Sequence, residues 1–319
     1  MIEVKNLTKR YGNHLAVDHL NFTVESGKIY GFLGPNGAGK STTMNIMTGY
    51  LGATEGQVLI DGHDILREPE EAKKKIGYLP EIPPLYMEMT VREYLEFAAE
   101  LKGIKKDKRE PQIEEVIRLA KLRDVENRLI QNLSKGYKQR VGLAQAVLGF
   151  PEIIILDEPT VGLDPKQIIE IRELIRKLAK KHTVILSSHI LAEVREVCDY
   201  IMIISEGKLV ASDTTENLEN MMSGKGQIEV EAKASRDEMD HIIRRTGKIK
   251  EVKYRTSASG ITTAQIIAKG GEDIREELFL AFSHADVPML ILNQSKTTLE
   301  EIFLELTQGS GNRMIKEEK

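Results

Sequence analysis

The sequence has a single cysteine, Cys198, and no excess of positive charge. One cysteine cannot form a disulfide within the chain, and it argues against a zinc site built from cysteines. The 45 Lys and Arg residues are outnumbered by 49 Asp and Glu residues, which gives a formal net charge of −4. Proteins that bind nucleic acid through its phosphate backbone carry a basic surface. We therefore expect no nucleic-acid partner.

The chain also lacks a hydrophobic run of the roughly 20 residues that a helix needs to cross a bilayer. Its apolar runs, such as Ile153–Leu156 and Ile201–Ile204, have the length of buried strands. The N-terminal sequence MIEVKNLTKRYG has no apolar signal-peptide core. We expect a cytoplasmic protein, so that any action at a membrane needs another chain to supply the spanning part.

Length and composition predict a folded chain of roughly two domains, because 41% of the 319 residues are apolar and 29% are charged. Up to about residue 215, short β-branched runs alternate with longer segments of 3.6-residue periodicity. This alternation predicts an α/β fold with a buried sheet. The predicted strands are Lys28–Leu33, Ile153–Leu156, Thr183–Ser187 and Tyr200–Ser205. The predicted helices are Lys40–Thr48, Val91–Leu101, Gln112–Ala120, Lys138–Leu148 and Lys166–Lys180.

The composition changes after Asn217. Residues 221–226, MMSGKG, suit a linker, and residues 227–308 predict a small α+β domain. Its elements follow the β-α-β-β-α-β order of the ferredoxin-like arrangement, with a last helix over Leu299–Thr307 and a frayed tail over residues 309–319. In order they are strand Gln227–Lys233, helix Arg236–Arg245, strands Ile249–Arg255 and Thr262–Ala268, helix Glu272–His284 and strand Met289–Leu292.

Residues 34–41, GPNGAGKS, match the phosphate-binding pattern G-x-x-x-x-G-K-[ST] between a predicted strand and a predicted helix. Glycines let backbone N–H groups turn towards phosphate oxygens, and the helix N-terminus adds positive potential. Lys40 is expected to reach the β- and γ-phosphates, and the Ser41 hydroxyl to ligate Mg²⁺. The predicted nucleotide-binding residues here are Gly34, Pro35, Asn36, Gly37, Ala38, Gly39, Lys40, Ser41 and Thr42.

Two carboxylates follow the apolar strand IIIL. Asp157 is placed to hold Mg²⁺ through water, as in other enzymes with this phosphate loop. Glu158 is one residue further on, where it can accept a proton from the attacking water. Together with the phosphate loop, these residues predict a nucleoside triphosphatase.

The segment LSKGYKQR, residues 133–140, precedes that strand. Here the chain resembles the ATP-binding cassette (ABC) family, whose signature is usually written LSGGQ. Lys135 stands where the first of the two glycines is usual, and Tyr137 stands in the Gln position. This variant resembles that of single-cassette bacterial exporters of the drug, antibiotic-resistance and gliding-motility type. The resemblance covers residues 1 to about 220 and implies a cassette with a helical subdomain over roughly residues 85–150.

The resemblance assigns further roles, residue by residue. Tyr11 matches the aromatic residue that stacks on adenine. Glu81 stands where the family usually has a Gln that touches Mg²⁺ and senses the membrane partner, and a carboxylate there can also bind Mg²⁺. Asp164, in GLD, matches the loop that joins two active sites across a dimer. His189 matches the switch histidine that contacts the γ-phosphate.

The family also implies how such a chain works. Two cassettes pair head to tail as a homodimer or heterodimer, and Ser134, Lys135 and Gly136 of one close over the ATP of the other. Integral membrane permease subunits respond to this motion, which implies a peripheral position on the inner face of the cell membrane. The apolar segment Ile82–Tyr94 is the expected contact, with a buried loop as the alternative. For the basic run Lys102–Arg109 we expect a solvated loop, with anionic-lipid contact as the alternative.

Other classes fit less well. A soluble ABC ATPase that remodels a macromolecular complex is the main alternative, but DNA-repair members carry long coiled-coil arms, and residues 42–156 hold no sustained heptads. Ribosome-associated ABC factors carry two cassettes, whereas this chain has one phosphate-loop motif. A small-molecule kinase needs neither LSKG nor GLD. The C-terminal domain has no catalytic constellation and is expected to stabilise, dimerise or regulate, or only to pack. The sequence does not identify the cargo, and the subgroup favours export over import.

Overall fold

The computed structural model describes residues 1–218, 227–257 and 260–295, together with Phe303 and Thr307. The chain divides into two compact units, Met1–Thr214 and Thr215–Lys319. The predicted linker 221–226 and tail 309–319 lie outside the described residues. So does most of the predicted helix Leu299–Thr307, of which Phe303 and Thr307 are described and helical.

The first unit alternates strands and helices. Its strands are β1 (Ile2–Tyr11), β2 (His14–Val24), β3 (Ile29–Leu33), β4 (Glu55–Ile60), β5 (His63–Asp64), β6 (Ile76–Leu79), β7 (Ile153–Leu156), β8 (Thr183–Ser188), β9 (Tyr200–Ser205) and β10 (Lys208–Thr214). Its helices are α1 (Lys40–Met47), α2 (Pro69–Lys74), α3 (Val91–Leu101), α4 (Lys106–Leu119), α5 (Lys135–Val147), α6 (Pro165–Ala179) and α7 (Leu191–Val197). The predicted α/β class is confirmed.

A six-stranded sheet with the order β10-β9-β3-β8-β7-β6 forms the centre of this unit. Its strands pair in parallel except for β10, which runs antiparallel to β9. The strands β3 and β7 are buried on both faces, which explains their uninterrupted apolar sequences. The sequence alone does not predict the second sheet, β2-β1-β4-β5, which is antiparallel. Apolar residues of both sheets and of α1 share one core.

Three helices, α3, α4 and α5, pack together within the predicted helical region. Helix α3 begins at a capping box, in which Thr90 and Glu93 satisfy each other's backbone N–H groups. Helix α5 begins three residues before the predicted Lys138, because the Ser134 hydroxyl accepts a hydrogen bond from the Tyr137 backbone N–H.

The expectation of a loop over Lys102–Arg109 is wrong for the second half of that run. Helix α4 begins at Lys106, six residues before the predicted start, so Lys106–Arg109 are its first turn. Lys102 is exposed as a residue, but its ammonium donates hydrogen bonds to the carbonyls of Gln145, Ala146 and Leu148 at the end of α5. Desolvation of this ammonium lowers the pKa of Lys102 to about 8, whereas its three carbonyl acceptors favour the charged form.

The second unit contains β11 (Gln227–Ala232), α8 (Arg236–Arg244), β12 (Ile249–Thr256), β13 (Thr262–Ala268), α9 (Arg275–His284) and β14 (Met289–Ser295). These elements follow the order β-α-β-β-α-β. All pairings are antiparallel in a sheet of order β12-β13-β11-β14. Alternate residues of β11 and β13 join apolar residues of both helices in one core.

Across the described residues, no helix is both long and apolar enough to span a bilayer.

Candidate active site

Three neighbouring strands of the central sheet bring the predicted site together. Strands β7, β8 and β3 are adjacent and parallel, so their carboxyl ends meet at one edge of the sheet. The phosphate loop follows β3, Asp157 and Glu158 follow β7, and His189 follows β8. Ligand sites of open α/β sheets lie at this edge, because the loops there converge.

The backbone of the phosphate loop depends on its glycines. Gly39 lies immediately before α1 with φ 102°, a conformation that side chains disfavour. A Cβ atom at Gly39 would lie 2.5 Å from the carbonyl oxygen of Ala16, and one at Gly34 would lie 2.4 Å from that of Ile204. The loop therefore needs glycine at both positions, and its N–H groups at the start of α1 are available for an anion.

Lys40 is buried beneath this loop. Its ammonium donates hydrogen bonds to the carbonyls of Gly34, at 2.8 Å, and Pro35, at 3.2 Å, and lies 3.7 Å from Glu158 Oε1. Burial lowers the pKa of Lys40, and the carboxylates of Glu158 and Asp157 partly oppose that shift. A phosphate group that enters the loop offers this cation a stronger acceptor than neutral carbonyls.

Asp157 lies between two hydroxyl groups. Ser187 Oγ donates to Asp157 Oδ1 at 2.5 Å, and Ser41 Oγ donates to the same oxygen at 3.3 Å. Burial raises the pKa of Asp157, while these two hydrogen bonds act in the opposite direction. A hydroxyl and a carboxylate are oxygen donors of the kind that Mg²⁺ prefers. Glu81, the third predicted metal ligand, lines the cleft without a hydrogen bond to either group among the described residues.

Glu158 and His189 form a direct pair. His189 Nδ1 lies 3.0 Å from Glu158 Oε2, and the Glu158 side chain is buried. Glu158 has φ 46°, which is uncommon outside glycine, and its N–H donates to Ser187 Oγ at 2.9 Å. The turn holds this carboxylate beside Lys40, where it can accept a proton in the cleft.

These side chains surround one cleft of about 430 Å³. Tyr11 lies on its wall with 49% of its surface exposed, and the Lys9 ammonium lies over its ring, 5.4 Å from the ring centroid. The predicted residues Gly34, Pro35, Ala38 and Asp157 do not line this cleft, and Asp157 lines the neighbouring cavity. The predicted residues that line it are Tyr11, Asn36, Gly37, Gly39, Lys40, Ser41, Thr42, Glu81, Glu158 and His189.

The predicted signature residues Ser134, Lys135 and Gly136 do not line this cleft. They lie at the N-terminus of α5, beside the loop that precedes α6. A Cβ atom at Gly136 would lie 2.5 Å from the Gln167 side chain, and one at Gly162 would lie 2.2 Å from Lys135 Nζ. Asp164, the predicted dimer-loop residue, caps α6 by accepting from the Gln167 N–H. The first turn of α5 is therefore in contact with the loop before α6 within one chain.

Several residues of the site escape sequence reasoning. His14 and Val161 line the cleft, and Ser187 contacts both Asp157 and the backbone of Glu158. Glu193 of α7 is buried and accepts hydrogen bonds from Thr160 Oγ1, at 2.5 Å, and Ser188 Oγ, at 3.2 Å. It therefore ties the loop after Glu158 to the segment that carries His189. The two serines before His189, Ser187 and Ser188, are the sequence signal that could have indicated these contacts.

Comparison with known proteins identifies the family. The family model for ABC transporters matches residues 17–161. The bacitracin transport ATP-binding protein BcrA of Bacillus licheniformis is 44% identical over 212 residues, which cover 66% of this chain and 68% of that protein. The linearmycin resistance ATP-binding protein LnrL of Bacillus subtilis (strain 168) is 31% identical over 308 residues, which cover 96% of this chain and 98% of that protein.

A solved structure agrees with these relatives. The ATP-binding cassette MJ0796, in a dimeric post-hydrolysis state bound to ADP and Pi, is 29% identical, with a TM-score of 0.61. The match covers 67% of this chain and 98% of that cassette. The chain therefore belongs to the ATP-binding proteins of the ABC transporter family, and it is an ATPase.

Proposed function

We propose that this chain energises a bacterial exporter of antibiotic-like compounds by hydrolysing ATP against separate membrane-spanning subunits. The observation that carries the proposal is the cleft in which Lys40, Glu158 and His189 are in contact beside the Ser41–Asp157 pair. The names of the relatives, for bacitracin transport and linearmycin resistance, support the direction and the class of cargo.

In the proposed reaction, the triphosphate enters the loop and takes Lys40 from its carbonyl partners. Glu158 accepts a proton from a water molecule as the water oxygen bonds to the γ-phosphorus. The bond from that phosphorus to the β–γ bridging oxygen breaks, leaving ADP and phosphate. His189 holds one carboxylate oxygen of Glu158, which fixes the other for the water. Lys40 stabilises the negative charge on the transferred group.

Ser41 and Asp157 are the proposed Mg²⁺ ligands, with Glu81 as a further carboxylate on the cleft wall. The ion supplies charge neutralisation for the β- and γ-phosphates when bound. Burial of Asp157 favours this assignment, because a buried carboxylate gains most from a nearby cation.

A second cassette completes the proposed site. Ser134, Lys135 and Gly136 lie outside the cleft of their own chain, at a helix N-terminus that suits phosphate. Head-to-tail pairing would bring them over the nucleotide of the partner. The dimeric state of MJ0796 supports this arrangement.

The segment Ile82–Tyr94 is the proposed contact with the membrane subunits, and it would place the chain on the inner face of the cell membrane. Ile82 is 82% exposed, and Tyr86 and Met87 are also exposed. An adjacent cavity of about 680 Å³ is lined by Tyr50, Ile82 and Pro84 and borders Glu81. Exposed apolar side chains around a cavity favour a protein interface over a buried loop.

The test uses tagged Glu158→Gln protein in its native host, since loss of the base should keep ATP bound and slow hydrolysis by about 10²- to 10⁴-fold. A mild-detergent pull-down with ATP should recover a multi-spanning protein or a pair of them. The matched control carries Lys40→Ala together with Glu158→Gln, so that it cannot hold ATP. Added ATP should not change how much of the partner this control recovers. Recovery of soluble partners alone would favour a cassette that remodels a macromolecular complex.

A further inference from the structure

A second cleft, of about 580 Å³, lies away from the nucleotide site and is strongly basic. Helix α2, the turn between α3 and α4, the beginning of α4 and the segment after α5 contribute to it. We call it the basic cleft. Glu70 is its one acidic lining residue, in a chain whose net charge is negative. Its lysines are Lys73, Lys74, Lys102, Lys105 and Lys108.

Two of these lysines already have partners. Lys74 pairs with Glu71 at 2.8 Å, and the Lys102 ammonium is held by carbonyls at the end of α5. Lys73, Lys105 and Lys108 make no ion pair with any described residue. Three like charges around one cavity repel each other, and an anion bound between them would remove that cost.

Besides the lysines, the lining includes apolar side chains and one glutamine whose side-chain oxygen has no hydrogen-bond donor in the part of the chain that the structure describes. Ile76, Ile104 and Leu148 contribute apolar surface to the cleft. Gln112 also lines it, and the Gln112 Oε1 atom is buried without a hydrogen-bond partner among the described residues. A buried acceptor of this kind costs free energy until a donor reaches it. The lining thus combines three unpaired cations, an unused acceptor and an apolar wall.

We propose that the basic cleft binds a phosphate ester that carries hydroxyl groups, either the headgroup of an anionic glycerophospholipid or a free phosphorylated small molecule. The lysines match the phosphate, a ligand hydroxyl supplies a donor for Gln112, and the apolar wall accepts a carbon skeleton. The cleft shares Ile76 and Lys102 with the cavity beside Ile82. The lipid source therefore rests on the proposed membrane contact, whereas the anion site itself does not.

The experiment uses purified full-length protein without any partner. Binding is measured by co-sedimentation with phosphatidylcholine vesicles, with and without phosphatidylglycerol. The variant replaces Lys73, Lys105 and Lys108 by Gln. The matched control replaces Lys177, Lys180 and Lys181 by Gln, three exposed lysines at the end of α6 that remove the same charge. We expect the cleft variant to bind phosphatidylglycerol vesicles on the order of 100-fold more weakly, from about 1 kcal/mol per lysine near an anionic surface, and the control to bind nearly as the wild type does.

A calorimetric titration with glycerol 3-phosphate distinguishes a free phosphate ester from a lipid headgroup as the ligand. A soluble ligand is identified if the wild type binds this ester, the cleft variant does not, and the wild type shows no selective binding to phosphatidylglycerol vesicles. Selective vesicle binding that the ester does not displace identifies the lipid. Equal losses in both triple variants, or no binding of either probe, would overturn the basic cleft as a site. The proposal would also be overturned if the cleft variant bound both probes normally but lost a membrane-protein partner in the pull-down. That result would indicate that the basic cleft binds an acidic protein segment. Unchanged ATPase activity shows that the variants are folded.

Discussion

Gly39 combines two backbone requirements at one residue. Its φ of 102° disfavours any side chain, and a Cβ atom would lie 2.5 Å from the Ala16 carbonyl oxygen. Gly39→Ala should therefore lower the free energy of unfolding by at least about 2 kcal/mol and abolish ATP binding. Gly62→Ala is the control, because Gly62 has φ 86° with no atom near its Cβ position, and should cost about 1 kcal/mol. Urea unfolding without nucleotide measures both, and equal losses would contradict the steric explanation.

Glu193 is predicted to position the catalytic loops without touching nucleotide. Its carboxylate accepts from Thr160 and Ser188, which flank the segments carrying Glu158 and His189. Glu193→Gln should lower kcat by roughly 10-fold and leave the KM for ATP nearly unchanged, because a buried charged hydrogen bond is weakened. Thr160→Val should have a similar effect, and the double variant should be little worse than either single one. Independent effects of the two substitutions would rule out a shared role.

At the scale of elements, α5 and α6 show how capping residues carry function. Ser134 caps α5 and Asp164 caps α6, and both are also predicted to act across a dimer. Lys135 lies against Gly162, so the first turn of α5 and the loop before α6 are in contact within one chain. The usual glycine at position 135 would lack this contact.

In the second unit, Tyr254 fastens β12 to α8. Its hydroxyl donates to Asp240 at 2.8 Å, and Arg244 binds the same carboxylate. The Tyr254 hydrogen bond and Arg244 lower the pKa of Asp240, so this group stabilises the fold above the unfolded pKa of about 3.9. That contribution is lost as the pH falls through the lower, folded pKa. Tyr254→Phe should cost about 1 kcal/mol at neutral pH and progressively less below about pH 4.

Amide hydrogen exchange in β12 and β13, compared between variants at the same pH, measures this effect. Two controls remove the titrating group. Asp240→Asn alone should show a loss relative to the wild type that also shrinks as the pH falls, whereas Tyr254→Phe made in the Asp240→Asn background should cost the same at every pH of this range. A loss in Tyr254→Phe that stays constant down to the lowest pH would show that packing, and not the carboxylate, is responsible.

At the scale of the whole molecule, the geometry predicts that one active site needs two chains. Lys40→Ala removes the phosphate contact, and Ser134→Arg blocks the signature, so each variant alone should be nearly inactive. A mixture of both should recover part of the ATPase activity, because a mixed head-to-tail dimer contains one site with both residues intact. Steady-state turnover of the mixture, measured against each variant at the same total concentration, tests this. Failure to recover activity although mixed dimers form would contradict head-to-tail sharing.

Much of the fold could be predicted from local sequence. The predicted strands Ile153–Leu156 and Tyr200–Ser205 and the predicted helix Val91–Leu101 have the observed bounds. The predicted bounds are wrong where a helix extends beyond its apolar pattern. Helix α5 starts early at the Ser134 cap, and α4 starts early without a side-chain cap. The antiparallel sheet as a whole is not predictable from local sequence, because the β1–β4 pairing joins strands far apart in sequence, such as Ile2 with Ile60. Its other two pairings, β1–β2 and β4–β5, are local hairpins.

The sequence by itself determined the chemistry of this protein, because phosphate binding needs particular residues at fixed local spacing around GPNGAGKS. The tertiary structure alone decided which distant groups meet. The order of β7, β8 and β3 places Ser187 on Asp157, and the packing of α7 places Glu193 between Thr160 and Ser188. The basic cleft likewise gathers lysines from separate segments. Periodicity and motifs report local backbone preference, whereas sheet order and helix packing arise from burial of apolar surface across the whole chain.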